Sequence, residues 1–176
     1  MDTKILKQFF SKRNIPNLIT LFRILLIFPI IVFLEINFKS FVWFLIIIGG
    51  ISDFADGYIA KRYNLKTSLG TAIDPLADKI FILIAFTWLC TNQIIPFWSF
   101  SIIIFRELVV TSIRNSKKDF MPAIRIAKYK SFFQFLALLL LFYPYDKVFI
   151  FNIGIISYWI SFLLCMYSSL IYLRFK

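Results

Sequence analysis

Apolar residues run along this chain in six stretches of about twenty, each closed by a short polar break, and that pattern predicts six helices long enough to cross a lipid bilayer. The stretches are Leu18–Ile36, Phe41–Ala60, Gly70–Thr91, Ile95–Ile113, Ala123–Tyr143 and Phe149–Leu173. Ahead of them, Asp2–Asn14 sets Ile5, Leu6, Phe9 and Phe10 on one side of a helix and Lys4, Lys7, Lys12 and Arg13 on the others. That arrangement suits a short amphipathic helix lying on an anionic lipid surface, with a disordered basic tail as the alternative. No internal repeat, low-complexity segment or long linker divides the chain. The expected architecture is therefore all-α: a single membrane-embedded domain over 1–176, with an interfacial helix at 1–14 and a bundle of six transmembrane helices at 15–176.

Composition sharpens this picture. Sixty per cent hydrophobic residues, 20% aromatic residues and a mean hydropathy of +0.82 exclude an ordinary soluble domain. Only 16% of residues are charged, against roughly a quarter in soluble chains. The net charge of +11 would point to nucleic acid in a soluble protein, but a polytopic membrane protein gathers Lys and Arg on its cytoplasmic side anyway, so no nucleic-acid partner is expected. With the N-terminus inside, the outer loops are Asn37–Ser40, Asn92–Ile94 and Pro144–Lys147, and they hold only Lys39 and Lys147. The other eighteen of the twenty basic residues then lie at or near the inner side, which predicts cytoplasmic N- and C-termini. Cys90 and Cys165 sit singly in apolar runs, without CxxC spacing, and read as buried thiols.

Four of the nine acidic residues fall between positions 53 and 78, in the pattern Asp53-x-x-Asp56-Gly57-x-x-Ala60-Lys61-x8-Gly70-x-x-x-Asp74-x-x-x-Asp78. Carboxylates beside lipid-embedded segments are costly unless they face the protein interior and find a partner. If the second span stays helical to its end, Asp53, Asp56, Gly57 and Ala60 share one face. Gly70, Asp74 and Asp78 share a face of the third span, and the short basic connection makes the two helices antiparallel neighbours opening to the cytoplasm. Four converging carboxylates repel one another, and one or two divalent cations are the simplest counter-ions. Ion pairing with Lys61, Arg62, Lys79 or Arg23 is the plainer alternative. The chain contains no histidine, so any general base near neutral pH must be a carboxylate. An acidic, metal-loaded cleft rimmed by Lys and Arg suits phosphate chemistry. A divalent-cation transporter is the competing class, but the acids gather at one membrane face and no midplane site of paired broken helices is visible.

At these residues the chain resembles the CDP-alcohol phosphatidyltransferases, whose signature is D-x2-D-G-x2-A-R-x8/9-G-x3-D-x3-D. Lys61 replaces the family arginine, which keeps the charge and loses the bidentate fork. Pro16-Asn17-Leu18-Ile19-Thr20-Leu21-Phe22-Arg23 is similar to the P-N-x-x-T-x-x-R opening of the family's first span, so the resemblance covers essentially the whole chain. It implies that Asp53, Asp56 and Asp74 ligate Mg2+ or Mn2+, and that Asp78 both ligates metal and acts as the catalytic base. It further implies that Gly57, Lys61 and Thr67 contact the CDP moiety, that Asn17 and Thr20 lie near the donor's phosphates, and that Ala60 and Gly70 make room for cytidine. The implied donor is CDP-diacylglycerol, reached from the bilayer, with CMP released.

The acceptor is read from later basic residues: Arg106, Arg114, Lys128 and Lys130 form the expected acceptor-phosphate site. An Arg106–Glu107 pair well inside the fourth span is costly without a function, although mutual pairing of buried charges would also account for it. Phe105-Arg106-Glu107 with Arg114 resembles the T-R-E…R segment of the branch of the family that uses glycerol 3-phosphate. Ala127-Lys128-Tyr129-Lys130-Ser131 with Gln134 resembles that branch's G-K-x-K-T-x-x-Q, with Ala for Gly and Ser for Thr. The resemblance therefore implies glycerol 3-phosphate as acceptor and phosphatidylglycerophosphate as product. The alternative is the cardiolipin-forming branch, with phosphatidylglycerol as acceptor and often Arg-Asp in the fourth span. Homodimers are common in the family, and 23 phenylalanines leave surface for one.

Overall fold

The computed structural model describes residues 15–63, 68–116, 125–145 and 147–174, with side chains for 18–19, 21–52, 79–110, 128–145 and 147–171. The segment 1–14, where the interfacial helix is predicted, lies outside the described residues. All regular structure among the described residues is helical, in six elements: α1 (Ile15–Glu35), α2 (Lys39–Tyr63), α3 (Ser68–Thr91), α4 (Phe97–Ser116), α5 (Arg125–Leu141) and α6 (Val148–Arg174). They coincide with the six apolar stretches to within a few residues at each end, as an all-α chain punctuated by short polar breaks requires. Among the described residues, Val148–Ile171 of α6 is long and apolar enough to cross a membrane, and Lys39–Ser52 and Lys79–Thr91 are shorter apolar runs.

The chain forms two compact units, Met1–Ile84 and Ala85–Lys176, which meet within α3. In the first, α1 and α2 form an antiparallel hairpin. Asn37, at φ 55°, closes α1 in the left-handed conformation that terminates helices. Phe38 N donates to Phe33 O at 2.9 Å and Asn37 N to Leu34 O at 3.1 Å, so the last carbonyls of α1 are satisfied. The rings of Phe33 and Phe38 pack across this turn, and Phe41 stacks on Phe38. Leu26, Ile30 and Leu34 of α1 and Val42, Leu45 and Ile46 of α2 bury the facing stripes. α2 also presents Gly49, against which the ring of Phe81 from α3 rests. A Cβ at Gly49 would lie 2.3 Å from Phe81 Cζ, so only glycine allows this approach.

The second unit repeats the cap chemistry. Gln93, at φ 58°, ends α3, with Ile94 N donating to Leu89 O at 2.9 Å and Gln93 N to Cys90 O at 3.0 Å. α5 and α6 pack as a second hairpin, and α4 lies against α6. Ser99 of α4 and Tyr158 of α6 share a buried hydrogen bond of 2.7 Å. The buried face of α6 carries Gly154, Ser157, Tyr158, Ser161, Cys165 and Ser168, while Phe149, Ile156, Leu163 and Leu170 are exposed. Small and polar residues thus face the protein and large apolar ones face outward, the reverse of a soluble helix.

Candidate functional site

α2 is helical without interruption to Tyr63, and α3 is helical from Ser68, so the acidic pattern falls on two consecutive helices. Asp53, Asp56, Gly57 and Ala60 follow Gly49 at i+4, i+7, i+8 and i+11, a single face of α2. Asp78, Asp74 and Gly70 precede Phe81 by three, seven and eleven residues, a single face of α3. Phe81 sits on Gly49, so α2 and α3 approach each other closely at this level. Along antiparallel helices, positions 53 and 78 come one turn beyond that contact, 56–57 and 74 the next turn, and 60 and 70 the turn after. The side chains of Asp53, Asp56, Ala60, Lys61, Asp74 and Asp78 lie outside the described residues, as do those of Asn17, Thr20 and Arg114. Thr67 lies outside them altogether.

α1 joins the same end of this unit. Arg23 is 2% exposed, and its Nε donates to Ser52 Oγ at 3.4 Å, beside position 53. Ser52 Oγ in turn donates to the Gly49 carbonyl at 2.7 Å. Thr20 and Asn17 lie three and six residues before Arg23 on α1. A set of four carboxylates offers only hard oxygen donors, which fits Mg2+ or Mn2+ and argues against soft metals.

The predicted acceptor residues divide. Arg106 and Lys130 come together in the second unit, both buried, and both pair with the Glu107 carboxylate: Arg106 Nη1 donates to Oε1 at 3.2 Å, and Lys130 Nζ donates to the same oxygen. Lys128 does not join them. It is exposed, standing about 200° around α5 from Lys130 because the two are two positions apart on a helix. Gln134, one turn beyond Lys130, is buried on the same side of α5.

Two residues that sequence reasoning passed over complete the cluster. Arg106 Nη2 donates to Ser168 Oγ at 2.6 Å and Nε to Ser169 Oγ at 2.9 Å. The signal was present in the chain: Ser157, Ser161 and Ser168 recur on one face of an otherwise apolar helix, which marks the side turned toward other helices.

The described residues thus hold an acid-bearing pattern on α2 and α3 in the first unit and a buried arginine–glutamate–lysine cluster in the second. The sequence pattern of the family described as CDP-alcohol phosphatidyltransferase matches residues 13–167, and the chain belongs to that family. It is accordingly a transferase of that type. Among named relatives, one from Rickettsia felis is 36% identical over 135 residues, covering 73% of this chain and 75% of its own. One from Shigella flexneri serotype 5b and one from Escherichia coli are each 31% identical over 171 residues, covering 91% of this chain and 93% of their own. All three are named CDP-diacylglycerol--glycerol-3-phosphate 3-phosphatidyltransferase.

Proposed function

We propose that this chain is an integral membrane enzyme that transfers the phosphatidyl group of CDP-diacylglycerol to sn-glycerol 3-phosphate, giving phosphatidylglycerophosphate and CMP. The observation that supports this chemistry is the Gly49–Phe81 contact, which brings α2 and α3 together one helical turn from positions 53 and 78. Relatives named for this reaction, matching 91% of the chain, support the choice of substrates.

In this reading the acceptor hydroxyl gives its proton to the Asp78 carboxylate. Its oxygen attacks the phosphorus of the phosphatidyl group, the bond from that phosphorus to the CMP oxygen breaks, and CMP leaves with the electron pair. Asp53, Asp56, Asp74 and Asp78 would hold Mg2+ or Mn2+, which would neutralise charge on the donor's phosphates. Asn17, Thr20, Lys61 and Thr67 contact the donor, while Gly57, Ala60 and Gly70 leave space for cytidine. Arg106 and Lys130, with Arg114, take the acceptor's phosphate, while Lys128 stands apart from them.

A bilayer setting is supported by the reversed polarity of the packing. Arg106, Glu107, Lys130, Gln134 and Ser161 are buried, while Phe28, Phe105, Leu108, Phe149 and Leu163 are exposed. All six helices then cross the membrane, with both termini and the acidic site on the cytoplasmic side and the exposed aromatic surface meeting lipid or a second copy of the chain.

The test is purified protein with CDP-diacylglycerol and Mg2+, offered glycerol 3-phosphate, phosphatidylglycerol, serine and inositol phosphate in parallel. CMP release with glycerol 3-phosphate is the expected result. Release with phosphatidylglycerol alone would assign the chain to cardiolipin synthesis instead, and no release with any acceptor would sink the transferase mechanism.

A further inference from the structure

We infer that Ser168 and Ser169 are positioning residues that orient Arg106 toward the anionic acceptor, an inference resting on the reading of Arg106 as part of the acceptor-phosphate site. Both hydroxyls have their protons committed elsewhere. Ser168 Oγ donates to the Cys165 carbonyl at 3.0 Å, and Ser169 Oγ donates to the same carbonyl at 2.9 Å. A hydroxyl has one proton, so each serine can meet Arg106 only as an acceptor. Arg106 duly donates to Ser168 from Nη2 and to Ser169 from Nε, the two nitrogens along one edge of the planar guanidinium.

Two adjacent residues of one helix therefore fix the plane of the cation. They do so with neutral oxygens, which leave its charge in place. A carboxylate at either position would hold the guanidinium as firmly but, added to Glu107, would cancel the one positive charge left on the Arg106–Lys130–Glu107 cluster and compete with a phosphate for its donors. Glu107 takes a third N–H, and among the described residues two of the five N–H bonds remain for a ligand. Ser168 is fully buried and α6 is apolar around it, so the serine–arginine contacts are shielded from water, where such bonds are strongest. The predicted role is specificity for the acceptor, with no part in donor binding.

The test compares initial rates of the full-length enzyme in detergent for Ser168→Ala, Ser169→Ala, Ser169→Thr and Arg106→Ala, varying each substrate in turn. Removing either hydroxyl should raise the KM for glycerol 3-phosphate roughly tenfold, the factor expected for one lost hydrogen bond to a charged group. The KM for CDP-diacylglycerol should stay unchanged, and Ser169→Thr, which keeps the hydroxyl, should behave as the parent. Parallel rises in both KM values, or a loss of Ser169→Thr equal to that of Ser169→Ala, would reduce the serines to packing and overturn the inference. Should Ser168→Ala fold poorly, the Ser169 pair decides alone, because that side chain is less buried. An unchanged glycerol 3-phosphate KM in Arg106→Ala would remove the acceptor-site reading itself. A raised KM in Arg106→Ala with unaffected serine variants would overturn the positioning role only.

Discussion

The ring of Phe81 occupies the space where a side chain at Gly49 would be: a Cβ there would stand 2.3 Å from Cζ and 2.7 Å from Cε2. Phe81 is 4% exposed and cannot swing aside without opening its own packing. One turn from this contact on each helix come positions 53 and 78.

Replacing Gly49 by alanine is accordingly expected to destabilise the protein by about 1–3 kcal/mol, the usual penalty for overpacking. Transferase activity should fall with it. Phe81→Leu in the same chain should recover most of the loss, and a thermal-unfolding cycle over the four proteins measures the coupling. Independent, additive effects of the two substitutions would show that Gly49 and Phe81 are not in contact.

Asp78→Asn keeps the shape of the side chain and removes the proposed base. Turnover should drop on the order of a hundredfold or more, the range for loss of a general base. Binding of CDP-diacylglycerol, measured separately, should weaken much less. Full turnover in this variant would exclude Asp78 as the proton acceptor.

Chelation by EDTA should abolish CMP release, and added Mg2+ or Mn2+ should restore it, since hard divalent ions suit an all-carboxylate donor set. Zn2+, which favours nitrogen and sulfur ligands, should restore it poorly. Persistent activity after exhaustive chelation would remove the metal from the mechanism.

Glu107 is the carboxylate to which both Arg106 and Lys130 donate. Glu107→Gln leaves two buried cations beside each other, and breaking such a pair typically costs about 3–5 kcal/mol. The expected readout is a large fall in the thermal midpoint in detergent. Lys128→Ala, at an exposed position on the same helix, should shift that midpoint very little.

Tyr158→Phe removes one partner of the buried Ser99–Tyr158 bond while preserving the ring contact with Phe86. Ser99 also donates to the Pro96 carbonyl, so its proton keeps a partner. The loss should be about 1 kcal/mol, the net worth of an ordinary hydrogen bond. Denaturation of the variant against the parent measures it.

How much of this was legible in the chain differs from helix to helix. The span predicted as Phe41–Ala60 is the helix Lys39–Tyr63, and Ile95–Ile113 is Phe97–Ser116. Hydropathy marks where a chain turns apolar, but backbone hydrogen bonding carries a helix on through charged residues such as Lys61 and Arg62. The turns at Asn37 and Gln93 were placed correctly as breaks, while their left-handed caps, on residues other than glycine, carried no strong local signal.

Among the described residues, what the sequence determined by itself was the number and length of the helices, the placing of four acids at helical spacing on two consecutive helices, and the family to which that pattern belongs. Local rules suffice for those features, because helical periodicity and loop length act over a few residues. Only the tertiary structure decided that Phe81 lies on Gly49, that Lys130 rather than Lys128 turns inward to Glu107, and that Arg106 reaches serines 62 and 63 residues further on. The reason is physical. A helix that is apolar on nearly every side has no amphipathic stripe to announce which face meets its neighbours. Its rotation is chosen by close packing at small residues and by the few buried polar groups that must find partners.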